Sequence, residues 1–255
     1  MKRTFVILLA NLQPTERVLV GLFLVLSLWT GTAAQTGLIA MPIEIGISRR
    51  HGQPFTAIEV TTLTQTLADG TKITRTAEDR IARDSEGRSY KEQHLPWTHN
   101  PEHPIYYVNT YDPVTKERIH LDPQRHVATL GPAKQLYARD YKPNDNSTIR
   151  ATHKGETVKT EQLTPQDIAG VSCWGRRTTN TVPPGMFSND QTIEIVDEFW
   201  YSDELGVDVL RRHSDPRSGD QVSELHDLQR SEPGQEMFKV PQGYAVQPLP
   251  TPRTP

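Results

Sequence analysis

Residues 193–244 read IEIVDEFWYSDELGVDVLRRHSDPRSGDQVSELHDLQRSEPGQEMFKVPQGY, and this stretch decides the fold class. Successive side chains of a strand point to opposite sides, so alternation puts Ile193, Ile195, Phe199 and Tyr201 on one face. Ser202 to Gly206 and Asp215-Pro216-Arg217-Ser218-Gly219 supply turn residues at two reversals. The stretch predicts consecutive antiparallel strands and carries no catalytic motif.

Upstream the same grammar recurs. Residues 55–67 are β-branched and Thr-rich, Asp69-Gly70 is a pair suited to a type I′ turn, and residues 71–83 return. In the return strand Ile73, Ala77 and Ile81 face a core while Lys72, Thr74, Thr76, Glu78 and Arg80 face water. Further strands are expected around Tyr90 and over 105–111, 118–121 and 126–130, separated by Asp112-Pro113-Val114-Thr115 and Asp122-Pro123. Pro96, Pro101 and Pro104 make 94–104 a loop, since proline removes ladder donors. Residues 131–155 read as a long polar loop. Strands 156–163 and 171–181 flank a Thr164-Pro165-Gln166-Asp167 turn, with Thr164 capping one helical turn. No fixed repeat period is present. The expected fold is mainly β: a single curved antiparallel meander sheet, half-barrel-like, with few short helices.

The chain of 255 residues is 35% hydrophobic and carries a formal net charge of −3. That composition suits a sheet with one wet face, and it lacks the basic surplus that a polyphosphate partner demands, so nucleic acid is excluded. Lys2, Arg3 and Arg17 precede an apolar run over 18–29 and the small residues Gly31-Thr32-Ala33-Ala34, the pattern of an export signal cleaved between Ala34 and Gln35. The competing reading retains residues 18–43 as an inner-membrane anchor. The expected organisation is a signal peptide over 1–34, a lead-in over 35–54, a β-rich domain over 55–244 and a disordered Pro-rich tail over 245–255. Cys173 is the only cysteine, which rules out an internal disulfide and a four-cysteine metal site. Export without disulfides points to a bacterial envelope protein, periplasmic or secreted.

Candidate chemistry is sparse. His94, His99, Glu102 and His103 are the metal-ligand candidates, although their prolines deny helical spacing. His120, Asp122 and His126 straddle a turn. His213-Ser214-Asp215 holds the residue types of a hydrolytic triad, but strand neighbours point to opposite faces. Cys173, between Ser172 and Trp174, reads as a small buried hydrophobe. Glu194, Asp197, Glu198, Asp203 and Glu204 read as cross-strand partners of Arg211, Arg212 and Arg217. Trp97, Tyr106, Tyr107, Trp174 and Trp200 are the candidate ligand-contacting aromatics. No cofactor signature is present.

The run Phe199-Trp200-Tyr201-Ser202, then His213 to Asp220, then Leu228, Arg230, Glu232-Pro233, Phe238, Val240-Pro241 and Tyr244, resembles a family of uncharacterised exported bacterial proteins. The resemblance implies no activity for any residue. In pattern, the chain is also similar to the periplasmic lipoprotein-carrier and lipoprotein-sorting fold, whose curved sheet holds acyl chains; Glu232-Pro233-Gly234 followed by Phe238-Lys239-Val240-Pro241 is similar to the end of such chains. That likeness implies non-enzymatic binding of an apolar ligand, lipid or lipoprotein. The competing expectations are an interaction or sensor module that contacts another envelope protein, and a metal-dependent enzyme using His94, His99 and His103.

Overall fold

The computed structural model describes residues 52–94, 106–132, 148–152 and 155–249. Its first hairpin joins β1 (Phe55–Thr66) to β2 (Lys72–Arg83) in unbroken register from Phe55↔Arg83 to Thr66↔Lys72. The turn differs in type from the expected I′. Only Gly70 takes a positive φ, of 85°; its N–H donates to Leu67 O, and Leu67 N–H donates to Thr71 O. This is a three-residue loop in which glycine fills the left-handed position after a type I turn. A two-residue loop with both residues left-handed occurs instead at Ala169-Gly170, φ 51° and 74°.

The remaining strands are β3 (Ser89–His94), β4 (Tyr106–Tyr111), β5 (Glu117–Asp122), β6 (Val127–Pro132), β7 (Thr148–Ala151), β8 (Thr157–Ile168), β9 (Val171–Val182), β10 (Ile193–Ser202), β11 (Val207–Asp215), β12 (Gly219–Gln229) and β13 (Ala245–Pro248). They form one open, curved sheet ordered β13-β6-β5-β4-β3-β2-β1-β12-β11-β10-β9-β8-β7, antiparallel except where β13 pairs parallel with β6. The fold is thus mainly β, a curved meander with, among the described residues, one short 3-10 helix over Gln235–Phe238.

The order contains two meanders, β1 to β6 and β7 to β12, joined where β1 pairs with β12. In this order β6 and β7 lie eleven strand intervals apart.

Three further expectations are corrected. The 131–155 loop contains β7, whose β-branched Thr148 and Ile149 pair with Thr160 and Lys159 across a turn closed by Thr152 and Glu156. The Thr164–Asp167 segment makes no helical turn: β8 runs on to Ile168, and the ladder skips Thr164 and Pro165 in a bulge, where a residue without an N–H is tolerated. Residues 245–248 of the expected tail are ordered as β13, because Ala245 N–H donates to His126 O and Leu249 N–H to Leu130 O. The expected signal over 1–34, most of the lead-in over 35–54 and residues 250–255 lie outside the described residues. Among the described residues no helix is long and apolar enough to cross a membrane.

The main core collects at one end of the central strands. Phe55, Ile81, Val171, Leu205, Val207, Val209 and Leu225 are all buried there, with Trp200 and Cys173. Arg83 is buried in the same place, and its Nη1 donates to Leu205 O at 2.6 Å, tying the end of β2 to the β10–β11 turn. A second cluster, Val108, Leu121 and Ala128 with Tyr90, Tyr106, Ile119 and Leu130, is covered by Val240 and Tyr244 from the segment leading to β13. Arg88 lies over the Phe238 ring, and Glu232 accepts from Ser85, so that segment is held to the β2–β3 turn.

Candidate functional site

The register aligns Gln162, Arg176, Phe199, Arg211, Ser223, Thr61 and Ala77 in one row across β8, β9, β10, β11, β12, β1 and β2. Directly paired residues share a face, so these seven side chains project to the same side. Ala57, Glu59, Asp79, Ile81, Gln221 and Leu225 project to that side as well, by the two-residue period. This is the more deeply buried face of the central strands. It is also unusually polar: Glu59 is 1% exposed, Asp79 7%, Gln221 3% and Ser223 1%.

Glu59 and Asp79 sit directly opposite each other on β1 and β2, an arrangement in which like charges repel. Lys91 Nζ approaches Glu59 Oε2 at 2.9 Å. Asp79 Oδ1 accepts from His94 N–H at 2.7 Å and lies 2.9 Å from the His94 ring Nδ1. Burial nevertheless raises the Asp79 carboxyl above its ordinary value, outweighing the His94 bonds and the Lys91 charge. Toward β10 the face turns aromatic: Trp174, Phe199 and Tyr201 form a buried cluster with edge and tilted ring contacts at 5.6 Å. In the next row His213 Nδ1 is 2.8 Å from Asp197 Oδ1, a bond that raises the imidazole against its partial burial. Gln162 Oε1 and Asn180 Oδ1 are buried acceptors without a hydrogen-bond partner.

The opposite face carries a satisfied carboxylate. Glu198 accepts from Trp200 Nε1 and Arg177 Nη2, each at 2.8 Å, and from Arg212 Nη1 at 3.2 Å. Burial pushes its carboxyl up, but these bonds and charges together hold it below the ordinary value. The Arg212 partnership is the cross-strand pairing that the sequence predicts. Gly175 stands against Trp200, and a Cβ there would fall 2.6 Å from the indole ring.

The five candidate aromatics are dispersed. Tyr106 and Tyr107 are adjacent in β4 and face opposite sides, Tyr106 stacking on His94 and Tyr107 on His120. Trp174 is cross-strand from Tyr201, so it faces away from Trp200. Trp97 lies outside the described residues, as do His99, Glu102 and His103. His94 pairs with Asp79, and His120 Nδ1 lies 2.9 Å from Asn109 Oδ1. Among the described residues no group of three or more His, Cys, Asp or Glu is placed to hold a metal ion. His213, Ser214 and Asp215 take separate partners: Asp197, Asp220 and Arg217. Burial pushes the Cys173 thiol up to about 11, far from a thiolate nucleophile at neutral pH. Ser223 Oγ is engaged with Thr61 Oγ1 at 2.9 Å. The face offers apolar surface, cations and acceptors, a set suited to holding a molecule with apolar and polar parts.

Sequence reasoning passed over Glu59, Asp79 and Arg176. The signal was present for the first two, since Asp79 falls between Ala77 and Ile81 in the alternation, and Glu59 between Ala57 and Thr61.

No protein-family model matches the chain, and no curated protein matches it. Among solved structures it is similar to a DUF1329 family protein from Desulfovibrio piger, at 11% identity and a TM-score of 0.30, over 74% of this chain and 91% of that one. It is also similar to a LolA superfamily protein from Nitrosomonas europaea, at 10% identity and a TM-score of 0.31, over 75% of this chain and 92% of that one.

Proposed function

We propose that this chain is a non-enzymatic binding protein of the bacterial envelope that takes an amphiphilic ligand, a lipid or the acylated end of a lipoprotein, on the buried face of β9 to β12 and β1 to β3. One observation carries the reading: that face interleaves buried Glu59, Asp79, Gln221 and Ser223 with Ala57, Ile81, Leu225 and the Trp174–Phe199–Tyr201 cluster. Burying polar groups costs free energy unless they are paired, and here Glu59 meets Lys91, Asp79 meets His94 and Ser223 meets Thr61; ligand sites likewise combine apolar and aromatic walls with a few convergent polar groups. The apolar part of the ligand lies along the aromatic cluster, and its polar part meets the charged middle of the face. The N-terminal pattern supports export, with cleavage between Ala34 and Gln35 delivering the chain to the periplasm or beyond.

Native mass spectrometry of the protein purified gently from the envelope tests this reading. The expected result is a co-purifying mass that extracts into organic solvent. A ligand-free chain that also takes up no lipid from phosphatidylglycerol and phosphatidylethanolamine vesicles overturns it. A second reading, contact with another envelope protein, is favoured by β7, whose four residues are exposed along their length at the edge of the sheet. An exposed edge is a template for strand addition, and recovery of a stoichiometric protein partner in place of lipid supports it.

A further inference from the structure

We propose that Glu59, Asp79, Lys91 and His94 form a proton-operated latch on the seam between β2 and β3: uptake of one proton tightens it, and loss of that proton frees the end of β3. The seam is short. β1 and β2 pair over twelve residues and β3 pairs with β4 over all six of its own, but among the described residues β2 and β3 share three pairs, Ile81↔Lys91, Ala82↔Tyr90 and Arg83↔Ser89. β3 runs three residues beyond that ladder, to His94. A side chain takes over there: Asp79 Oδ1 accepts from His94 N–H at 2.7 Å and lies 2.9 Å from His94 Nδ1. The other end of the seam is pinned independently, since Asp84 accepts from Arg88 N–H and Glu232 accepts from Ser85. The end held by the clasp is therefore the one that local opening reaches first.

The charges around the clasp make it sensitive to protons. Glu59 stands opposite Asp79 on β1, and Lys91 Nζ lies 2.9 Å from Glu59. The His94 ring stacks on Tyr106 of β4, and β12 presents Gln221, Ser223 and Leu225 to this side and no titratable group. On β2 itself Arg83 projects to this side four positions away, donates to Leu205 O and acts on Asp84 rather than Asp79. Two facing carboxylates thus share one cation, Lys91, which leaves an excess negative charge while His94 is neutral. A proton bound between Asp79 Oδ1 and His94 Nδ1 cancels that charge whichever atom carries it. Once the end of β3 swings out, both carboxylates meet water and the extra proton is no longer favoured. The state that binds more protons gains as pH falls, so acid tightens the seam and a rise in pH loosens it. Burial, which raises the Asp79 carboxyl, acts with the same sign. The latch does not rest on the ligand reading, although it sits at the polar middle of the same face.

Hydrogen–deuterium exchange of the full chain, corrected for the intrinsic pH dependence of exchange, tests the latch. Protection of the His94 amide is expected to fall on the order of tenfold between about pH 4 and about pH 8, the effect of one proton whose affinity differs by one pKa unit between the two states. Amides of β10 keep their protection over the same range. Asp79→Asn retains an acceptor for His94 N–H and removes the titrating group, so protection there becomes the same across the range. Glu59→Gln removes the facing charge and shrinks the dependence as well. Protection of His94 that is independent of pH in the unmodified protein overturns the latch, and that comparison needs no variant to fold. Protection that rises with pH overturns its sign and with it the proposal. A fall that survives in Asp79→Asn and Glu59→Gln alike overturns the assignment to these side chains.

Discussion

The two ends of the central strands make an instructive contrast. At one end Phe55, Ile81, Val207, Val209 and Leu225 are excluded from water and packed together, with Arg83 closing the layer onto Leu205 O. A few residues along the same strands, Glu59, Asp79, Gln221 and Ser223 are buried just as deeply. Burial alone therefore does not separate the two regions; the chemistry of what is buried does. The apolar end gains free energy from every side chain it hides, whereas the polar middle has to offset desolvation with specific partners.

The contrast is tested most severely by comparing Leu225→Ala with Ser223→Ala, two positions on one face of β12. The first should cost about 2–5 kcal/mol in urea unfolding, as deletion of a buried leucine does, and the second about 0.5–1.5 kcal/mol for one hydrogen bond. Equal costs would break the distinction. Gly175→Ala should cost about 1–3 kcal/mol, because its Cβ collides with the Trp200 ring and the core has no slack.

Asp79→Asn should go the other way, stabilising the fold by up to about 1 kcal/mol at neutral pH by removing one of two facing carboxylates. Its pH dependence has a definite sign. Because the folded Asp79 carboxyl titrates above its ordinary value of 3.8, its contribution is present below that value and is lost as pH rises through the folded one. The advantage of Asp79→Asn should therefore grow from pH 4 upward, read as the difference in unfolding midpoints, and a pH-independent difference would contradict the assignment. The smallest effect expected is for Ala169→Asn, at a left-handed turn position distant from the polar middle. It should stabilise by about 0.5–1 kcal/mol without altering ligand affinity.

Much of the sheet was legible in the sequence because alternation and turn chemistry are local. Phe55 begins the first strand as the Thr-rich run implies, and Ile193, Phe199 and Tyr201 share a face as their spacing requires. What escaped was structure dictated from a distance. Ala245–Pro248 becomes a strand only because β6 offers it a free edge, and four residues at Thr148 carry too little pattern to stand out from their polar surroundings. Pro165 invited a helical turn, yet the pairing of β8 with β9 resumes beyond it. The candidate site was half legible. The period of two puts Asp79 on the face of Ala77 and Ile81, but only the register between β9, β10 and β11 places Arg176 and Arg211 on either side of Phe199.

The joining of the two meanders through β1 and β12 has a consequence for how the chain is made. Thr61 and Ser223, in contact through their hydroxyls, are 162 positions apart. The middle of the sheet therefore cannot assemble until β12 has left the ribosome, and such distant pairings are slow to form. Each meander can zip by itself, since its strands follow one another in sequence, but the union of the halves waits for β12. β13, emerging after β12, then straps the second half back onto β6 of the first. The strand order thus sets an order of assembly, with two local meanders first and their union through β1 and β12 second.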